Sequence, residues 1–251
     1  MINVETHTFV CPLFPNVETT YVITLASQPE RKEAMLARLR QTPLTRTVRF
    51  IVSPGGTAKN LGMNTCDDLL HTIKFICYVA LASGHPAILL EDDCEFTAQM
   101  TPSWAMSAEK RIGGIDAITF GAFMGLSISV NRHWIRIFRG GLAHGMLLSP
   151  AGMAILLRLP YTRCAHDSFF YARANVVAPR WPVGVQRHHR TKNSLVYDQT
   201  GFITFVLTSV FHSDVHPELL YNCSHTVGLF GGLYALVALF LVMVMVAVMR
   251  Q

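Results

Sequence analysis

Three consecutive carboxylates, Glu91, Asp92 and Asp93, follow the apolar run Ala87-Ile88-Leu89-Leu90. Like charges repel, and a carboxylate taken out of water without a partner is costly. Two readings are open for such a triplet: a solvated turn, or a place for something positive. Carboxylates at the end of a buried strand can hold Mg²⁺ or Mn²⁺, because hard cations prefer oxygen ligands and in turn neutralise a diphosphate. That device serves sugar transfer from a nucleotide-sugar, and also phosphate hydrolysis or transfer. Alternate strand residues share a face, so Glu91 and Asp93 point the same way if the strand runs through them. Asp93 is then the expected direct metal ligand and Asp92 a second ligand or a ribose contact. Glu91 is a ligand or a supporting group.

The remaining charge is distributed unevenly. The formal net charge is +5, and between Ala117 and Lys192 ten Arg and Lys residues accompany a single acid, Asp167. The acids concentrate in the first 116 residues. A half-chain rich in cations opposite an acidic strand end suits a site where a metal and an anionic ligand meet. Neighbouring cations are expected to keep Asp167 ionised, as in a structural salt bridge. Arg31 and Arg190 are candidates for phosphate or nucleotide contacts. The basic residues show no aromatic interleaving and no nucleic-acid motif, so nucleic acid is not the expected partner.

The elements that must position these groups alternate. Thr19–Ser27 reads as a buried strand. Ser27-Gln28-Pro29-Glu30 has capping-box spacing with proline near the helix start. The helix that follows offers Ala34, Met35, Leu36 and Leu39 to a core. Thr47–Ser53 is a second strand. Asp67–Ser83 has helical periodicity, with Gly84 placed to end it. Ala87 then opens the strand that runs into the acids. This β-α-β-α-β order predicts a mostly parallel sheet covered by helices, with ligands outside the strands' carboxyl ends. Further on, Asp116–Gly121 is a strand. His133–Ser149 reads as two short strands around Gly140-Gly141. Ser149-Pro150 caps and opens a short helix.

Four blocks, in this order, resemble glycosyltransferase family 25, the group of lipooligosaccharide and collagen galactosyltransferases. They are YVITLASQPERKEAM, AILLEDDCEF, GGLAHGMLLSPAGMAILL and HDSFFYARANVVAPRWPVGVQRHHRTKNSL, together covering about Tyr21 to Ser194. The sequence departs from the family pattern at Thr24, where an Asn is usual, at Ala26–Gln28, and at Leu142–Gly145, which lacks a Tyr. The resemblance implies an α/β, GT-A-like nucleotide-sugar-binding fold and an inverting transfer to a hydroxyl of a glycan, glycolipid or glycoprotein. It also implies a divalent metal, Mn²⁺ or Mg²⁺. Inversion is a single displacement with a general base for the acceptor hydroxyl, a role for which Asp167 is the candidate. The closing block implies a late imidazole, His188 or His189, for the metal or diphosphate, and places Gln186 beside the donor. A non-catalytic relative that keeps the fold as a binding surface, and a metal-dependent phosphohydrolase, are the alternatives.

Hydrophobic residues make up 51% of the chain and charged residues only 15%, and the apolar excess is concentrated at one place. Thr226–Met249 is a run of 24 residues without a charge. As a helix it would be about 36 Å long, enough for a hydrocarbon core of about 30 Å. The expected organisation is therefore a catalytic domain over residues 1–222 and a C-terminal transmembrane helix over 226–249. No signal peptide is recognisable at the start, so the expected side for the domain is the cytosol. Six scattered cysteines without a Cys-x-x-Cys pair are expected to be free thiols, not zinc ligands.

Overall fold

The computed structural model describes residues 2–55, 65–122, 126–140, 144–162 and 166–186. Eleven strands and five helices are present among them: β1 (Asn3–Thr8), β2 (Thr19–Leu25), α1 (Pro29–Gln41), β3 (Thr47–Ser53), α2 (Thr65–Leu81), β4 (Ala87–Glu91), β5 (Cys94–Phe96), α3 (Pro102–Ile112), β6 (Ala117–Thr119), β7 (Ser127–Ser129), β8 (Trp134–Ile137), β9 (Gly145–Leu148), α4 (Pro150–Arg158), α5 (His166–Tyr171), β10 (Val176–Pro179) and β11 (Gly184–Gln186). The proposed transmembrane segment, 226–249, lies outside the described residues. Among the described residues no helix is long and apolar enough to cross a membrane.

Nine strands form one sheet in the order β1-β3-β2-β4-β9-β6-β10-β8-β7, and β11 pairs with β5 in a separate ribbon. The α/β expectation holds, but the sheet is mixed and not mostly parallel. Only β2–β3, β2–β4 and β6–β10 are parallel neighbours, while five pairs are antiparallel. The reason is β9, which returns between β4 and β6 and runs against both. Its neighbours β4 and β6 consequently share a direction, and their carboxyl ends emerge on the same side of the sheet.

Helices cover both faces. Tyr21, Ile23 and Leu89 pack with Leu70, Ile73, Ile76, Met153 and Phe170 from α2, α4 and α5. The alternate residues Val22, Ile88 and Leu90 pack with Met35, Leu36, Leu39, Ala105 and Ala108 from α1 and α3. The central strands are apolar on both sides because both sides are covered. Ala34, expected in the core, is exposed. The helix turns Met35, Leu36 and Leu39 inward and leaves position 34 to solvent.

Local signals hold at several ends. Ser149 accepts from the Gly152 amide, with Pro150 in the first turn of α4. Gly84 adopts φ +70°, the left-handed conformation that closes α2, and its amide donates to the Leu81 carbonyl at 3.1 Å. The capping box at Ser27 does not form. The N-cap of α1 is Gln28, without a side-chain cap, and its amide oxygen is used by Arg31 instead.

Candidate functional site

β2 is where the sheet order reverses. The chain goes from β2 to β3 on one side and then returns to β4 on the other. In open α/β sheets the crevice at such a switch point, outside the carboxyl ends, is where ligands bind. The acidic triplet stands at the carboxyl end of β4, next to that switch point. The Glu91 amide donates to the His144 carbonyl at 2.8 Å and the Asp92 amide to the Ile23 carbonyl at 3.1 Å. These two bonds fasten the acids to β2 and to the residue that precedes β9.

β4 ends at Glu91, and Asp92-Asp93 form a turn before β5. The expected shared face of Glu91 and Asp93 therefore does not arise from strand alternation, because the strand stops between them. The two aspartates converge on one cation. Nη2 of Arg31 lies 2.5 Å from Oδ1 of Asp92 and 3.0 Å from Oδ2 of Asp93. Nη1 of the same side chain donates to Oε1 of Gln28 at 2.9 Å. One helical face does this work: Arg38, seven residues on, donates to the Cys94 carbonyl and pairs with Glu95 at 3.2 Å. The β5–β11 ribbon adds the last contact. Cys94 stands opposite Gln186, whose Nε2 donates to Oδ2 of Asp93 at 3.0 Å.

Asp92 and Asp93 are almost fully buried. One oxygen of each, Oδ2 of Asp92 and Oδ1 of Asp93, has no hydrogen-bond partner among the described residues, and the same holds for Nε of Arg31. Burial raises the Asp92 carboxyl to about 6, against the opposing pull of Thr24 and Arg31. The Thr24 hydroxyl sits beside Asp92 but short of hydrogen-bond alignment. Burial, then the charges of Asp93, Asp167 and Asp92, push Glu91 well above the usual carboxylate range, and Arg31 opposes them. Among the described residues Glu91 forms no ion pair.

That interaction also locates Asp167. It lies in the first turn of α5, close enough for its charge to act on Glu91. The only acid of the basic half thus joins the acids of the first half. His166 beside it is buried and held below its ordinary value by that burial, with Asp167 pulling the other way.

The chain matches no model of a known protein family and no curated protein.

Arg31, Glu91, Asp92, Asp93, Asp167 and Gln186 are thus assembled at one strand end. His188, His189 and Arg190 lie outside the described residues. Among the described residues, no cation of the basic half pairs with the acids. Arg180 is buried on Ser129 and the Asn131 carbonyl, Arg158 caps its own helix, and Arg136 and Arg173 stack on Phe138 and Phe169. Arg31, from the acidic half, takes the role because α1 packs against the β4–β5 turn. Two contributors were not read from the sequence: Gln28, which orients Arg31, and the His144 carbonyl, which fixes Glu91. Neither has a local signature. Among the described residues no group of three or more His, Cys, Asp and Glu is arranged to hold a metal ion. Cys11, Cys66, Cys77 and Cys94 are free thiols, as expected.

Proposed function

We propose that this chain is an inverting glycosyltransferase with a GT-A-like fold. It moves a sugar from a nucleotide-sugar to a hydroxyl of a glycan, glycolipid or glycoprotein, and 226–249 attaches it to a membrane. The observation that carries the reading is the Asp92–Asp93 pair at the switch point, each aspartate buried and each with one oxygen that has no partner among the described residues. Those oxygens are hard donors, and among the described residues Asp92, Asp93 and Asp167 outnumber the one arginine that pairs there. Mn²⁺ or Mg²⁺ fits both the donor chemistry and the charge, with Asp93 and Asp92 as its protein ligands. When bound, such an ion neutralises the diphosphate leaving group.

The chain's own residues supply the rest. The Gln186 amide and Arg31 fix the carboxylate of Asp93, so that its free oxygen is aimed before the donor arrives. Arg31 also offers Nε, without a partner among the described residues, to a donor oxygen. Asp167 takes the proton from the acceptor hydroxyl as that oxygen attacks the anomeric carbon. Burial and the neighbouring carboxylates raise Glu91 well above the usual carboxylate range, which favours its neutral form over a further negative charge.

Arg31 also favours a second reading. It already balances Asp92 and Asp93, as a non-catalytic relative would do that keeps the fold as a binding surface. The full chain in detergent micelles, given a panel of nucleotide-sugars with and without Mn²⁺, separates the two. Mn²⁺-dependent thermal stabilisation and turnover, both lost in Asp93→Ala, are expected. Binding without turnover on any acceptor would favour the second reading. Absence of stabilisation by every nucleotide-sugar would overturn both.

A further inference from the structure

Val176–Gln186 is a run of buried residues with one exception, Trp181, which is 52% exposed. An indole left in water in the middle of a buried segment is unusual, because burying it would stabilise the fold. The segment does not let it turn in. The Arg180 amide donates to the His133 carbonyl at 2.8 Å, and its guanidinium is held by Ser129 and the Asn131 carbonyl. On the other side the Val183 amide donates to the Phe120 carbonyl at 2.9 Å, and Thr97 donates to the Pro182 carbonyl at 2.7 Å. Trp181 is thus presented by a loop fixed at both ends.

It is presented over a cavity of about 350 Å³. That is near the lower end for small-ligand pockets, which span about 300–1,000 Å³. Trp104, Trp134 and Val183 give the cavity its apolar wall. Gln99, Ser103 and Ser107 give it a polar one. The side chains of Gln99 and Ser107 have no protein partner among the described residues. No lining residue is a carboxylate, lysine or arginine, and His133 is the only titratable one. The lining holds no lysine or arginine to select a phosphate or an acidic side chain, and no carboxylate to select a basic one. A flat aromatic face beside hydroxyl and amide donors matches a neutral ring with an apolar C–H face and hydroxyls on its edge.

We infer that this cavity is a saccharide subsite, with the sugar's C–H face stacked on Trp181 and its hydroxyls bonded to Gln99, Ser103 and Ser107. The inference does not require the transferase reading, since binding a neutral sugar here uses none of the acids at the strand end. Trp181 and Gln186 nevertheless belong to one short segment, the loop that leads into β11 and β11 itself.

Equilibrium titration of the full chain in detergent micelles with methyl β-galactoside, methyl β-glucoside and methyl β-N-acetylglucosaminide tests this, read by indole fluorescence and saturation-transfer NMR. A saturable signal from at least one glycoside is expected. It should fall at least tenfold in Trp181→Ala and in Ser107→Trp, which fills the cavity, and persist in Asp93→Ala. Trp181→Ala should keep the wild-type melting temperature, because the side chain is largely outside the core. Silence of the wild type towards all three glycosides, or a signal unchanged in both cavity variants, would overturn the inference. A signal lost only in Asp93→Ala would move the sugar to the acidic crevice and overturn it equally.

Discussion

Oδ2 of Asp93 accepts from Nε2 of Gln186 at 3.0 Å, across 93 residues of sequence. The contact exists because Gln186 is paired opposite Cys94 in the β5–β11 ribbon, one residue beyond the aspartate. Arg31 holds the same oxygen from the helix side. Asp93 is therefore oriented from two directions, and its other oxygen has no partner among the described residues.

Removing the helix-side partner should be costly. Arg31→Met leaves Asp92 and Asp93 buried without their cation, and breaking a buried pair typically costs about 3–5 kcal/mol. For a chain of this size that corresponds to a fall in Tm on the order of 10 °C. Thermal melting in EDTA should show the loss. Added Mn²⁺ should recover more of it than in the wild type, because the cation that competes for the carboxylates is gone.

Gly121 packs against the ribbon so closely that a Cβ there would stand 2.4 Å from the Gly184 carbonyl oxygen. Gly121→Ala should push β11 away and loosen Gln186 from Asp93. A stability loss of about 1–3 kcal/mol in urea denaturation is expected, as for overpacked cores. Donor binding should weaken in parallel with Gln186→Ala. Wild-type donor affinity in Gly121→Ala would separate ribbon position from the site.

Asp167→Asn should leave nucleotide-sugar binding intact and reduce transfer by about 10²–10⁴-fold, the usual worth of a general base. Single-turnover transfer and donor titration on the same preparation test this. Equal losses in both would make Asp167 part of the donor cradle instead.

The pH dependence follows from the direction of two shifts. Burial lifts Asp92 from 3.8 to about 6 and moves Glu91 the same way. The folded chain then binds these protons more tightly than the unfolded chain. The stability they contribute is present at low pH and is lost as pH rises through about 6. Urea midpoints should therefore drop between pH 5 and pH 7 more in the wild type than in Asp92→Asn/Glu91→Gln. Mn²⁺ affinity should change in the opposite sense, falling below about pH 6 as protons compete for Asp92.

Much of the frame was legible locally. Thr47–Ser53 forms a strand over the same residues that its β-branched and apolar run marks. Ser149-Pro150 opens a helix and Gly84 ends one, because caps and turns depend on a few adjacent residues. Some short segments were not legible. β5, β7 and β11 have three residues each, too few to show a period. β1 is a polar edge strand whose burial pattern is mostly exposed.

By itself, the sequence determined that Glu91, Asp92 and Asp93 end an apolar strand, that helices alternate with the first strands, and that Asp167 is alone among cations. Only the tertiary structure decided what meets what. β9 inserts antiparallel between β4 and β6, a pairing set by long-range register that no local pattern encodes. It likewise decided that Arg31, from the acidic half, pairs with both aspartates, and that Asp167 lies near Glu91. Charge acts through space, and the distance between two side chains is fixed by how helices and strands pack, not by how far apart they stand in the chain.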